Sequence, residues 1–260
     1  VLNARKPSIK ISIMKTRLFI YMLLVSIISC RQAESQNQSS ADYKVTDLTL
    51  KDIPESIIVN GKLLLAKKWN DKNGENLLIV SRKGPIKETE YKIEFSGNER
   101  YAELYGEQYI KKGDTYALLW DIHDFERHCH LDLWIGLLPN STMITDLDND
   151  GISETTLIYK LSCRGDVSPS RMKLLIHENN VKMGLRGTMM IKPKSDKLDS
   201  DFEHDLSKVD TVGLSELEKI LALYGRYENE KDFKDQPHEF LKFAKEQWLK
   251  YIDKDEYLQF

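Results

Sequence analysis

Between about residues 45 and 190, apolar and polar residues alternate in short runs, the two-residue period of strands with one buried face. GKLLLAKKW (61–69) and LLIVSRK (77–83) flank NDKNGEN, whose Asn73-Gly74 pair marks a tight hairpin turn. The same pattern predicts strands at ETEYKIEFS (88–96), YAELYGEQYIK (101–111) and DTYALLWDI (114–122), with Gly113-Asp114 turning between the last two. HLDLWIG (130–136) places Leu131, Leu133 and Ile135 on one face. The stretch TDLDNDGISETTLIYKLSCRGD (145–166) begins as an acidic loop and becomes a strand with Leu157, Tyr159, Leu161 and Cys163 on one face. RMKLLIHE (171–178) and VKMGLRG (181–187) form a predicted hairpin across Asn179-Asn180.

After about residue 195 the period changes. Residues 195–212 are acidic and read as an exposed loop. LSELEKILALYGRYE (214–228) has Ser215 placed as an N-cap and Glu218 three residues on, a capping box. Its apolar positions Leu217, Ile220, Leu221 and Tyr224 follow helical spacing. A last helix is predicted from near Pro237 to about Ile252, with Phe240, Leu241, Ala244, Trp248 and Ile252 in one stripe that packs against the sheet. The fold class expected is α+β: one β-rich domain of antiparallel sheets over residues 45–260, with C-terminal helices from about residue 214 packed on it. The acidic loop has no second copy, which argues against a propeller built from such repeats.

Residues 1–29 follow a different logic. Lys15 and Arg17 follow Met14 and precede the apolar run LFIYMLLVSII, which ends at Ser29-Cys30. A basic region, a short apolar region and a small residue before a cysteine read as an export signal. The run falls short of the roughly 20 residues that span a bilayer. Ile27-Ile28-Ser29-Cys30 fits a bacterial lipobox, which would make Cys30 the lipidated first residue of the mature chain; an uncleaved anchor or an ordinary signal peptide are the alternatives. Residues 1–13 read as an extension upstream of a start at Met14. Residues 30–44 are polar without apolar rhythm and read as a flexible tether. The expected location is the cell envelope, on the outer membrane, held by lipid without spanning.

Charge narrows the partners. Residues 1–29 carry Arg5, Lys6, Lys10, Lys15 and Arg17 and no acid, so their removal takes 38 basic residues to 33 against 41 acidic, a formal net charge of −8. That balance argues against nucleic acid or anionic lipid as the main partner.

The acidic loop carries the sharpest chemical signal. Asp146, Asp148 and Asp150 stand at every second position before Gly151. Carboxylates so spaced in a tight loop converge on one Ca²⁺, with the carbonyl of Ile152 and Glu154 completing the shell in a structural role. The loop is not an EF-hand, because its twelfth position is Leu157 and a strand follows. A solvated acidic turn is the alternative. Cys129 shares parity with Leu131, Leu133 and Ile135, and Cys163 with Leu157, Tyr159 and Leu161, so both point to the apolar face and a Cys129–Cys163 disulfide is expected of an exported chain. Two free buried thiols are the alternative. In an extended strand His128 and His130 share a face opposite Cys129, and the expectation for them is solvation rather than zinc. No nucleophile elbow accompanies Ser168, Ser170 or His177, and catalytic residues stay unknown.

Trp120-Asp121-Ile122-His123-Asp124-Phe125, Cys129, Thr145 to Gly151, Tyr159 to Ser170, His177-Glu178 and Arg186-Gly187-Thr188 form an ordered series. In this series the chain resembles a bacterial family of exported proteins described as surface polysaccharide biosynthesis proteins, over roughly residues 115–190. The resemblance implies a link to lipopolysaccharide or capsule at the envelope and brings no catalytic residues with it. Three functions are then in play. The first is an envelope lipoprotein that supports polysaccharide assembly by binding glycan or an assembly protein, without catalysis. The second is a hydrolase or transferase that acts on envelope glycan through Asp and Glu. The third is a calcium-stapled structural β-domain.

Overall fold

The computed structural model describes residues 43–88, 98–166, 168–191 and 201–255. All of them belong to one compact unit, residues 40–260. Cys30 and most of the strand expected at 88–96 lie outside the described residues.

Five strands form the first sheet as an antiparallel meander: β1 (Thr46–Asp47), β2 (Lys62–Asp71), β3 (Gly74–Lys87), β4 (Arg100–Lys112) and β5 (Thr115–Cys129). The second sheet holds β6 (Asp132–Leu137), β7 (Met143–Thr145), β8 (Glu154–Arg164), β9 (Arg171–Glu178) and β10 (Val181–Thr188), in the order β10-β9-β8-β6 with β7 also paired to β8. The α+β class with a β-rich, antiparallel body is what the alternation predicts. Strand β7 has only three residues, too few for a period to register.

The layers follow from which face each residue takes. Trp69, Leu78, Val80, Leu104 and Ile122 of the first sheet meet Leu133, Ile135, Leu157, Tyr159 and Leu175 of the second, forming a buried core between the sheets. On the outer face of the first sheet, Ala66, Leu77 and Ile79 lie under Ile53 of the preceding segment. This explains why residues 77–80 are apolar without a break: both faces of β3 are covered. The outer face of the second sheet packs against the helical part, where Ile158, Leu174 and Ile176 meet Phe240, Ala244, Trp248 and Ile252. Those last four belong to or directly follow α2 (His238–Tyr251), and they are the stripe expected to cover the sheet. Strand β8 is therefore enclosed on both sides. Among the described residues, no helix is long and apolar enough to cross a membrane.

Two expectations are corrected. The helix read over 214–228 is α1 (Glu216–Leu223), capped by Ser215 with Glu218 returning to the cap as predicted. It stops because β10 captures the chain that follows. Gly225 adopts φ +76°, the Thr188 amide donates to the Arg226 carbonyl (3.0 Å), and Tyr227 bridges Gly187. A Cβ at Gly187 would stand 2.0 Å from that same carbonyl, so only glycine admits the approach. The apolar positions of α1 also fail to pack inward: Leu217, Ile220 and Leu221 are 65%, 51% and 50% exposed. Second, His128 and His130 do not share a strand face. β5 ends at Cys129, and a register shift near its end leaves His128 at φ +54°, with its amide and ring nitrogen on Glu88.

The disulfide is present. Cys129 at the end of β5 is bonded to Cys163 in β8, with Cα atoms 5.6 Å apart. It ties the first sheet to the second.

Candidate metal centre

Three turns meet at one end of the sandwich. The β7–β8 loop supplies Asp146 to Ser153, the β2–β3 turn supplies Asp71 to Asn73, and the β9–β10 turn follows Glu178. Asp71 fixes the first two together by accepting from the backbone N–H (3.1 Å) and hydroxyl (2.7 Å) of Ser153, whose Oγ in turn accepts from the Trp69 indole (2.7 Å). The Lys72 amide donates to the Gly151 carbonyl (2.9 Å), and the Asn73 side chain donates to Asn179 across to the third turn (2.7 Å). Within the loop, Asn149 and Gly151 adopt φ +61° and +86°, the left-handed conformations a tight reversal needs.

This geometry gathers carboxylates into two overlapping groups. Ligand atoms of Asp146, Asp148 and Glu154 lie within 4.8 Å of one another, as do those of Asp148, Asp150 and Glu178. Every donor is a carboxylate oxygen. Part of the Asp146, Asp150 and Glu154 side chains is committed to shaping the loop. One Asp146 oxygen accepts from the Gly151 amide (3.2 Å), Asp150 accepts from the Ile152 amide (2.7 Å), and one Glu154 oxygen accepts from the Thr145 hydroxyl and the Leu147 amide (both 2.9 Å). Asp146 Oδ1, Glu154 Oε1 and Glu178 Oε1 are buried without a hydrogen-bond partner. A buried polar atom left unpaired costs about 1–3 kcal/mol, and more when charged. Glu154 is wholly inaccessible and stands directly opposite Glu178 in the β8–β9 register, a like-charge pairing that destabilises a sheet.

Electrostatics carries the same signature. Burial, with the charges of Asp148 and Glu178 adding to it, pushes the Glu154 carboxyl up to about 7. Burial and Asp148, Asp150 and Asp146 push Glu178 up to about 7 as well. Asp148 is raised by burial and by its acidic neighbours. Tyr43 adjoins the cluster, its phenol pushed up by burial and by Asp146, Asp71 and Glu154. A cation placed between the orphaned oxygens would relieve the desolvation and the repulsion together. The cluster can thus hold a metal ion.

Of the residues singled out in the sequence, Asp146, Asp148, Asp150 and Glu154 converge here, while Ile152 sits in the loop with its amide on Asp150. Glu178 was missed. It arrives from β9 through strand pairing, and its only local sign is a Glu before the Asn179-Asn180 turn. His123, His128 and His177 lie elsewhere: His123 on Glu103 (3.4 Å), His128 on Glu88, and His177 stacked on Trp120 with ring centroids 4.0 Å apart. Ser170 donates its hydroxyl and amide to Asp255, a structural role. Set against known protein families, curated proteins and solved structures, the chain finds no match.

Proposed function

We propose that this chain is a cell-envelope lipoprotein that supports surface polysaccharide assembly as a binding module rather than a catalyst, with its β-sandwich stapled by Ca²⁺ at the acidic loop. The observation that carries the reading is the set of orphaned, buried carboxylate oxygens on a domain that also holds a disulfide. An all-oxygen, all-carboxylate donor set suits a hard cation such as Ca²⁺ rather than zinc or copper. Both the disulfide and a calcium staple fit a compartment outside the cytosol. The resemblance over residues 115–190 supports the polysaccharide link, and Cys30 is the proposed point of lipid attachment.

The staple is tested by calorimetric titration with Ca²⁺ and by melting with and without chelator. At a hundredfold excess over its Kd, a ligand of the native state adds about 2.7 kcal/mol. Chelation is expected to lower Tm, and Asp146→Ala to abolish the difference. The binding role is tested by incubating the purified, calcium-loaded protein with lipopolysaccharide and capsular glycans. Saturable binding without cleavage is expected; no binding to any of them would remove the polysaccharide reading while leaving the staple intact.

A further inference from the structure

The acidic loop walls its cation site from one side only. Among the described residues, Asp146, Asp148 and Glu154 each bring one ligand atom to a common point. Two of the three lie deep in the protein. Asp146 is 4% exposed and Glu154 0%, and each keeps one oxygen, Oδ1 and Oε1, without a hydrogen-bond partner. The third, Asp148, is half-buried, and Asp150 beyond it is exposed. The site therefore has a buried floor and a rim that reaches solvent.

That floor supplies fewer ligands than a hard cation takes. Ca²⁺ binds roughly six to eight oxygens. The second oxygen of Asp146 is held by the Gly151 amide, and that of Glu154 by Thr145 and Leu147. Asp148 accepts from the Asp150 amide (3.3 Å). Lys72 engages two loop carbonyls, Asp150 through its ammonium (3.2 Å) and Gly151 through its amide (2.9 Å). With the Ile152 carbonyl as a fourth ligand beside the three carboxylates, about two to four positions are left for water or an outside oxygen. The charge around them is negative. Asp146, Asp148, Asp150, Glu154 and Glu178 stand against one divalent ion and the ammonium of Lys72. A further anion is repelled by that balance. A hydroxyl is not: its oxygen ligates the ion and its proton goes to a carboxylate.

We infer that the calcium-loaded loop binds a neutral sugar through two adjacent hydroxyls, which replace water on the ion and donate to the rim carboxylates Asp148 and Asp150. Asp146 and Glu154 hold the ion from below. Two neighbouring hydroxyls on one ring suit this site because the second contact is intramolecular once the first is made. The inference rests on the calcium reading of the loop and deepens it: the ion that staples the turns also carries the glycan.

The test uses the full chain with Tb³⁺ in place of Ca²⁺, since luminescence lifetimes in H₂O and D₂O count the waters on the ion. At least about two waters are expected on the folded, loaded protein. Asp148→Asn should weaken Tb³⁺ severalfold, which fixes the counted ion in the loop; Asp150→Asn, at an exposed position, serves if that variant does not fold. The methyl pyranosides of glucose, galactose and mannose are then added. At least one of them should displace about two waters saturably, and the same sugar should bind the Ca²⁺ form in an NMR titration. The matched methyl uronoside, with the same ring hydroxyls and a carboxylate in place of the hydroxymethyl group, should bind severalfold more weakly. The per-O-methylated sugar should displace no water. Failure of both Tb³⁺ and Ca²⁺ to bind would remove the calcium reading and this inference with it. Ion binding with no water to count, water that none of the sugars displaces, a uronoside as tight as its neutral counterpart, displacement by the per-O-methylated sugar, or wild-type Tb³⁺ affinity in the folded variant would each overturn this inference alone.

Discussion

At the scale of single residues, burial decides the protonation that pH can reach. His177 is packed flat on Trp120 in the core, and burial, with Lys182 adding to it, pushes its imidazole down to about 3. Unfolded, the same ring titrates near 6.5. Between those values the unfolded chain binds a proton that the native state refuses, so stability falls as pH drops through the window, by about 1.4 kcal/mol per unit from this residue. His177→Phe keeps a ring on Trp120 and should flatten that slope, as measured by urea denaturation from pH 7 to 4. Glu154 and Glu178 act with the opposite sign. Their native pKa values of about 7 exceed the unfolded value, so without metal their stabilisation is complete below about 4.5 and is lost as pH rises through 7. A bound cation should erase that loss, so the stability difference between metal-loaded and chelated protein is expected to widen from pH 5 to pH 8. Among these groups, the aspartates were legible from their spacing in the loop. Glu178 was not, because register across the sheet, not proximity in the chain, sets it against Glu154.

At the scale of elements, the two helices separate propensity from packing. Both have capped or well-placed starts and apolar spacing, yet α2 buries its stripe while α1 leaves Leu217, Ile220 and Leu221 outside. Trp248→Ala on α2 is expected to cost about 3–5 kcal/mol, whereas Leu221→Gln on α1 should stay within about 0.5 kcal/mol; denaturant titration of the two variants checks the contrast. Sequence periodicity identified both helices, since spacing is local. It could not say which one the sheet would accept, nor that the free edge of β10 would claim Tyr224 and Tyr227 in place of a further helical turn. The longer strands β2 to β6 and β8 to β10 were legible for the same local reason, and the return of β8 between β6 and β9 was not, because strand order leaves no mark on alternation.

At the scale of the whole molecule, two of the long-range ties among the described residues join layers of the fold. The Cys129–Cys163 bond closes a loop across 34 residues of sequence, which the chain-entropy model values at about 3–4 kcal/mol. Replacing both cysteines by Ser should lower stability by that order, read as a shift in the urea midpoint. The second tie is ionic. Asp255, beyond α2, accepts from Lys160 (2.9 Å), from Arg164 (2.8 and 3.1 Å) and from both donors of Ser170. Its neighbours' charges and hydrogen bonds hold its carboxyl below the usual range despite its burial. Asp255→Ala would take one shared acceptor from Lys160, Arg164 and Ser170, and a loss of about 1–3 kcal/mol is expected from thermal or chemical melts.

Strand β8 has no outside. Its backbone is flanked by β6, β7 and β9, and its side chains are shut between the inter-sheet core and the helical layer. Solvent deuterium can reach its amides only when the entire assembly comes apart, so their exchange clock reads the global opening free energy, whereas the amides of α1 keep a much faster and purely local time.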